Sequence, residues 1–279
     1  HVEAQTSHLN LVVDGNRAAC ALSIAVPERI TARDCLKVYA PASAGAVINP
    51  FDLNALEVAV RVKEKTDAVV TAISMGPKQA GESLRDAIAR GADKGVLLAD
   101  EKFAGADTLA TSNALASAIR KLGSFDLVVC GEKTIDGDTA QVGPEVAELL
   151  AIPCAAYVEE ILEVHRSRIV VKSKMGKNYH ISEVTFPALI TVTKDVNTPR
   201  LPSLRDKLRS RKIEVTTWGA EDLSAVAQMR CFGLSGSPTW VARIYAPPSR
   251  RRGPRIIEGT AEEKARTLAK ALRNLDVLR

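Results

Sequence analysis

Residues 126–143 read DLVVCGEKTIDGDTAQVG. Four apolar residues, Leu127 to Cys130, follow Asp126 and are closed by Gly131, the pattern of a short buried strand. A polar turn comes next, and Ala140 to Leu150 reads as a helix. One glycine stands on each side of the turn: Gly131 where the strand ends, Gly137 just before the helix. The first N–H groups of a helix have no partner within it and lie at its positive end, so the turn suits an anion such as a phosphate. Thr139 adds a hydroxyl. Asp136 and Asp138 would repel a phosphate, so they are expected to turn onto the backbone as caps or onto sugar hydroxyls. On these residues alone the turn reads either as a nucleotide site or as an ordinary capped strand–helix turn.

The same alternation extends upstream. Cys20 to Val26 is strand-like and stops at Pro27, and residues 28–47 read as a hairpin or excursion. Asn49-Pro50-Phe51-Asp52 reads as a turn, with Asp52 placed to cap a helix from Leu53 to Lys65. Ala68 to Ser74 is an apolar strand closed by Met75-Gly76-Pro77. A helix from Lys78 to Arg90 stops at Gly91. Gly95 to Ala99 is a strand, and Asp107 caps a helix from Thr108 to Leu122. The strands are uniformly apolar rather than alternating, which predicts a sheet covered on both faces. The expected fold is α/β: an open, mainly parallel, doubly wound sheet of the Rossmann-like, adenine-nucleotide-binding type. Ligands in such sheets lie beyond the carboxyl ends of the strands. The loops after Val26, Ser74 and Cys130 fall there.

Downstream of Pro153 the pattern changes. Cys154–Glu159, Ile161–Val164, Arg168–Lys174, Tyr179–Thr185 and Ala188–Thr193 read as short strands forming an antiparallel extension. DVNTPRLPSL (195–204) is irregular, and a basic helix, Leu204 to Ser210, follows it. Little periodicity returns before Val241–Tyr245. PPSRRRGPR (247–255) is a basic linker, and Thr260 with Glu263 forms a capping box for a helix running to about Leu275. Three regions result. Residues 1–15 are a leader, a tag-like extension or an edge strand. Residues 16–240 are the α/β domain. Residues 241–279 are an arm and helix suited to reach another subunit.

Composition narrows the classes. The 279 residues are 46% apolar, with a formal net charge of +5. A sizeable core is therefore possible, while no apolar run approaches a membrane span and no basic–apolar leader opens the chain. Aromatics are few and not interleaved with cations, which argues against nucleic acid. None of the five cysteines forms a CxxC pair, and the four histidines sit near no cysteine pair, which argues against structural zinc. Free thiols in a reduced cytoplasm are the expectation.

Six segments in order, INPFDLNALEVAVRVKEK (48–65), 74–100, 103–122, GEKTIDGDTAQVGPEVAELL (131–150), DVNTPRLPSLRDKLRSRKIEV (195–215) and 236–253, resemble the β subunit of electron transfer flavoproteins. DGDTAQVGP resembles the bifurcating and nitrogen-fixation-linked branch. The resemblance implies a heterodimer with an α subunit that holds most of the electron-carrying FAD. This chain would bind AMP or a second FAD. The implied nucleotide residues are Leu22, Asn49, Pro50, Phe51, Asp52, Met75 and the run Gly131, Glu132, Lys133, Thr134, Ile135, Asp136, Gly137, Asp138, Thr139, Ala140, Gln141 and Val142. Gly137 and Ala140 leave room for a diphosphate. A recognition loop over 192–212, with Pro199, Arg200 and an anchor at Leu204, would dock a flavin dehydrogenase. Two positions depart from the family pattern. The basic residue at the end of the first strand is missing, since Ala25 precedes Val26-Pro27-Glu28, and Glu132 replaces a basic or small residue. The readings in view are an electron-carrying subunit, an NADH-oxidising bifurcating component, and a stand-alone nucleotide-binding sensor.

Overall fold

The computed structural model describes residues 11–14, 17–21, 24–25, 47–135, 137–239 and 257–274. Four short strands come first: β1 (Leu11–Asp14), β2 (Arg17–Ala21), β3 (Ile24–Ala25) and β4 (Val47–Ile48). Helices and strands then alternate as α1 (Pro50–Thr66), β5 (Val69–Met75), α2 (Gly81–Ala89), β6 (Lys94–Leu98), α3 (Thr108–Leu122), β7 (Leu127–Gly131) and α4 (Val142–Leu150). The strands β8 (Cys154–Val164), β9 (Arg168–Met175), β10 (Asn178–Thr185) and β11 (Ala188–Val192) follow. Last come α5 (Leu204–Ser210), β12 (Thr216–Trp218), the single turn α6 (Gly233–Gly236) and α7 (Ala261–Asn274). The chain divides into two compact units, His1–Ile244 and Tyr245–Arg279. Within the second, the expected capping box forms: Thr260 N donates to Glu263 Oε2 at 2.8 Å.

One sheet runs in the order β10-β9-β8-β11-β7-β1-β2-β5-β6-β12, with further pairings of β7 to β2 and β1 to β5. The pairs β8–β11, β11–β7, β7–β2, β2–β5, β5–β6 and β6–β12 are parallel. Neighbouring residues of one strand enter opposite cores, as the two-residue period requires. Leu127 and Val129 join α1 and α2 on one face, with Val70, Ala72, Leu97 and Ile190. Val128 and Cys130 join α3 and α4 on the other, with Ile73, Val96, Leu98 and Leu189. Two covered faces are why these strands carry no polar alternation.

Several boundaries differ from the sequence reading. The antiparallel extension is smaller than expected, being β9 and β10 on β8. β8 and β11 belong to the parallel sheet, and β11 inserts between β8 and β7. β8 is one bent strand with register shifts at Val158/Glu160 and Ile161/Glu163, which an interrupted apolar pattern had suggested to be two. The helix expected from Lys78 opens as a 3-10 turn, Lys78–Ala80, before α2. Asp52 is not the cap of α1. Pro50 occupies the first turn, which its fixed φ favours, so the cap position is Asn49. Leu11–Asp14, read as part of a leader or an edge strand, pairs with β2 and β7. The expected excursion over 28–47 (apart from β4), the periodic stretch 241–245 and the basic linker 247–255 lie outside the described residues.

Candidate nucleotide site

The end of β7 meets the start of α1, and two buried side chains join them. Asp52, 2% exposed, accepts from Gly131 N through Oδ1 at 2.9 Å and from Asn49 Nδ2 through Oδ2 at 2.9 Å. Asn49, fully buried, also donates from Nδ2 to Lys133 O at 2.9 Å and accepts from Ile135 N at 3.3 Å. One carboxamide thus holds the first half of the polar turn, leaving no polar atom of its own unmet, as burial demands. Gly131 is required by proximity. A Cβ there would stand 2.5 Å from Asp52 Oδ1 and 2.8 Å from the Phe51 carbonyl carbon.

The turn is closed on itself and on two further elements. Thr134, 2% exposed, accepts from Gly137 N at Oγ1 (3.2 Å) and from Asp138 N at its carbonyl (3.1 Å). Asp138 (φ +51°) and Ala140 (φ +54°) adopt left-handed backbone, which in non-glycine residues is uncommon and clusters at binding sites. Glu132 N donates to Val192 O at 2.8 Å, tying the turn to β11. At Gly143 a Cβ would lie 2.4 Å from Thr191 Cγ2, so α4 packs directly on β11. From α3, Ser112 Oγ lies 2.8 Å from Glu145 Oε2, and Thr108 Oγ1 reaches Gln141 Oε1 at 3.2 Å.

The expected residues are therefore largely brought together: Asn49, Asp52, Gly131, Lys133, Thr134, Ile135, Gly137 and Asp138 form one bonded set. Phe51 joins it through Lys133, whose Nζ is 5.9 Å from the ring centroid. Met75 closes β5 and is buried. Gln141 is the position before α4, and Val142, expected within the helix, is its first residue. The helix starts later than Ala140 because that residue's positive φ breaks the right-handed run. Leu22 and Asp136 lie outside the described residues. Ser112, Thr108 and Glu145 were not anticipated. Hydroxyls inside a helix carry no local sign of the neighbour they serve.

Lys133 is the only lysine or arginine among these residues. Its Nζ is 2.7 Å from Asp138 Oδ1 and 3.9 Å from Glu132 Oε1. The Asp138 carboxylate holds the Lys133 ammonium above its ordinary range. Glu132 does not point to open water: its side chain is 17% exposed. Burial pushes its carboxyl up; Lys133 opposes that, while Asp138 and Asp195 add to it. The Lys133 ammonium beside the turn and the first N–H groups of α4, which have no partner within the helix, are the donor types that a phosphate-bearing nucleotide takes.

A second set of contacts organises the loop between β11 and α5. Asn54 Nδ2 donates to Asn197 O at 2.8 Å, and Asn197 Nδ2 returns a bond to Asn54 O at 2.9 Å. Arg200 Nε is 2.8 Å from Glu57 Oε2, and its NH1 is 2.5 Å from Glu64 Oε1. Arg90 NH1 donates to Arg200 O at 2.6 Å. Asn54, Glu57 and Glu64 lie along one stripe of α1, and Glu57 is 4% exposed. Beyond this clamp the surface turns apolar: Leu201, Leu204 and Leu208 are 86%, 75% and 52% exposed. Ser203 caps α5 by accepting from Asp206 N at 3.1 Å. Pro199 precedes the clamp and is half-buried. His165 and His180 are both exposed, on the antiparallel extension, and His165 meets Glu163 at 2.7 Å. Among the described residues no cluster of His, Cys, Asp and Glu has metal-holding geometry.

Comparison with known proteins adds to this geometry. Residues 37–223 match the family model described as "Electron transfer flavoprotein domain". The chain is 44% identical over 234 residues to the electron transfer flavoprotein subunit beta of Thermoanaerobacterium thermosaccharolyticum, covering 84% of this chain and 88% of that one. It is 39% identical over 234 residues to the caffeyl-CoA reductase-Etf complex subunit CarD of Acetobacterium woodii, covering 84% and 88%. It is 40% identical over 232 residues to protein FixA of Bradyrhizobium diazoefficiens, covering 81% and 80%.

Proposed function

This chain belongs to the electron transfer flavoprotein family, matching its β subunits over most of its length, and from that premise we propose that it binds an adenine nucleotide, FAD before AMP, in the turn between β7 and α4. The observation that carries this reading is the Asn49–Asp52 pair, which fixes the turn to α1 while leaving Lys133 and the start of α4 to meet a phosphate. Small residues at Gly137 and Ala140 support a diphosphate over a monophosphate. A bound flavin supplies the electron-carrying chemistry. The chain's own residues bind it, orient it and shield one edge. Thr134 and Asp52 keep the turn in one conformation, and Phe51 and Met75 line the apolar side.

The partner in this reading is the α subunit, and the protein serves in the cytoplasm. Among the described residues no helix is long and apolar enough to cross a membrane. The test is to co-produce the chain with its α subunit, release the cofactors with acid and count them. Two FAD per heterodimer is the expected result. One FAD with one AMP overturns the preference for FAD, and a single FAD without AMP overturns the site.

The clamped loop is the docking element for a flavin dehydrogenase, with Leu204 as its anchor and the cations of α5 around it. An apolar residue inside a polar rim is where small interfaces gain their energy. Leu204→Ala is expected to weaken electron transfer to the dehydrogenase at least tenfold, in the range of a truncated hot spot, at unchanged cofactor content. Unchanged transfer rates measured against dehydrogenase concentration would remove Leu204 from this role.

A further inference from the structure

The Lys133–Asp138 pair has a geometry that a purely structural salt bridge does not need. The Lys133 backbone is fixed, because its carbonyl accepts from Asn49 Nδ2 at 2.9 Å. Asp138 is returned over it by the closed turn: its N–H donates to Thr134 O at 3.1 Å, and its own φ is +51°. The left-handed residue thus brings a carboxylate to 2.7 Å from the site's one cation. Yet the pair is open to water, with Asp138's side chain 64% exposed and Lys133's 31%. Exposed pairs of this kind contribute little and are readily exchanged.

We propose that Asp138 is an internal stand-in for the ligand's phosphate. It holds Lys133 across the mouth of the turn, and an incoming nucleotide phosphate displaces it and takes the Lys133 ammonium. This rests on the nucleotide reading above and names the residue that provides the counter-charge. Glu132 stands 3.9 Å from the same ammonium, against 2.7 Å for Asp138, so Asp138 is the closer partner to be exchanged. A nucleotide phosphate is the stronger partner: the terminal phosphate of AMP is a dianion, and the FAD diphosphate brings two adjacent anionic groups. Exchange costs only an exposed pair and returns a carboxylate to water.

The experiment uses the heterodimer stripped of nucleotide and titrates it with AMP and with adenosine, which lacks the phosphate. The ratio of adenosine to AMP dissociation constants isolates the phosphate contact. Lys133→Met is expected to lower that ratio about tenfold or more, the size of one charged hydrogen bond. Asp138→Asn is expected to raise the ratio several-fold, by freeing the ammonium, and to do so only while Lys133 is present. The double variant should match Lys133→Met. If Asp138→Asn raises the ratio equally in the Lys133→Met background, Asp138 acts by plain repulsion and the exchange is wrong. An unaltered ratio in Lys133→Met also overturns it, while leaving the nucleotide site standing. If the wild-type complex binds neither AMP nor adenosine, the site itself fails and the exchange with it.

Discussion

Gly131→Ala is expected to destabilise the protein by about 2–3 kcal/mol, in the range of core overpacking, and to strip the complex of its nucleotide. The added methyl meets no yielding side chain. It would stand 2.5 Å from Asp52 Oδ1 and 2.8 Å from both the carbonyl carbon and the Cβ of Phe51. Asp52 cannot retreat without giving up its bonds to Gly131 N and to Asn49. The first turn of α1 must then lift from β7, and the hold of Asn49 on Lys133 and Ile135 goes with it. Urea midpoints and cofactor content after gel filtration measure the two effects together. Gly81→Ala is the control. Its nearest neighbours are 3.8 Å and 4.0 Å away, on a helical backbone, and no loss is expected. Wild-type retention of nucleotide by Gly131→Ala would show that the α1–β7 junction does not shape the site.

Arg200→Ala should cost about 1.5–3 kcal/mol, the size of a lost hydrogen bond to a charged group, through a different cause. Glu57 is 4% exposed, and in the variant only Arg61, at 2.6 Å, still faces it. Burial alone would push the Glu57 carboxyl up, but Arg200, helped by Arg61, outweighs it and holds the group below its ordinary value of 4.5. Glu64 is lowered as well, chiefly by its bond to Arg200. A carboxyl lowered on folding contributes stability that is present above its unfolded value and lost as pH falls through the folded one. The wild type should therefore lose stability below about pH 4.5 as Glu57 and Glu64 protonate. In Arg200→Ala that acid-side loss should be flatter, since most of it has already been forfeited at neutral pH. Glu57→Gln in the Arg200→Ala background should recover part of the neutral-pH loss by removing the stranded charge. A double variant no better than Arg200→Ala would show that the clamp acts through Glu64 or the backbone bonds instead. The titration is read by urea denaturation at several pH values.

Most of the sheet was legible because its cause is local. Strands covered on both faces are apolar throughout, and Val69–Met75, Lys94–Leu98 and Leu127–Gly131 lie within a residue of where that pattern puts them. The place of β11 was not legible. Ala188–Val192 looks like any buried strand, and nothing nearby tells that it pairs with β7, some sixty positions earlier, rather than continuing the hairpins. The role of Asp52 was misread because Asn-Pro-Phe-Asp offers two caps; the preference of proline for the first helical turn decides for Asn49. The turn over 131–142 was found from its glycines and its helix start, but its fastenings were not. Thr108, Ser112 and Glu145 meet it from helices whose own patterns are complete without it. Asn54, Glu57 and Glu64 mark an ordinary wet stripe of α1 in sequence. The loop that meets them is supplied more than a hundred residues later, so the burial of Asn54 and Glu57 is a tertiary fact.

The clamp on that loop has an entropic consequence. Asn54, Glu57 and Arg90 fix the backbone from Lys194 to Arg200, and Ser203 starts α5 at once. The three exposed leucines are thus presented from a chain whose conformational freedom was given up when the protein folded. A loose loop surrenders that freedom on contact, at about 1–2 kcal/mol for each residue whose backbone becomes fixed. This one has little left to surrender. In the docking role proposed for this loop, a brief encounter would rest on a few apolar atoms and still end quickly, which suits a carrier that must let go of each partner in turn.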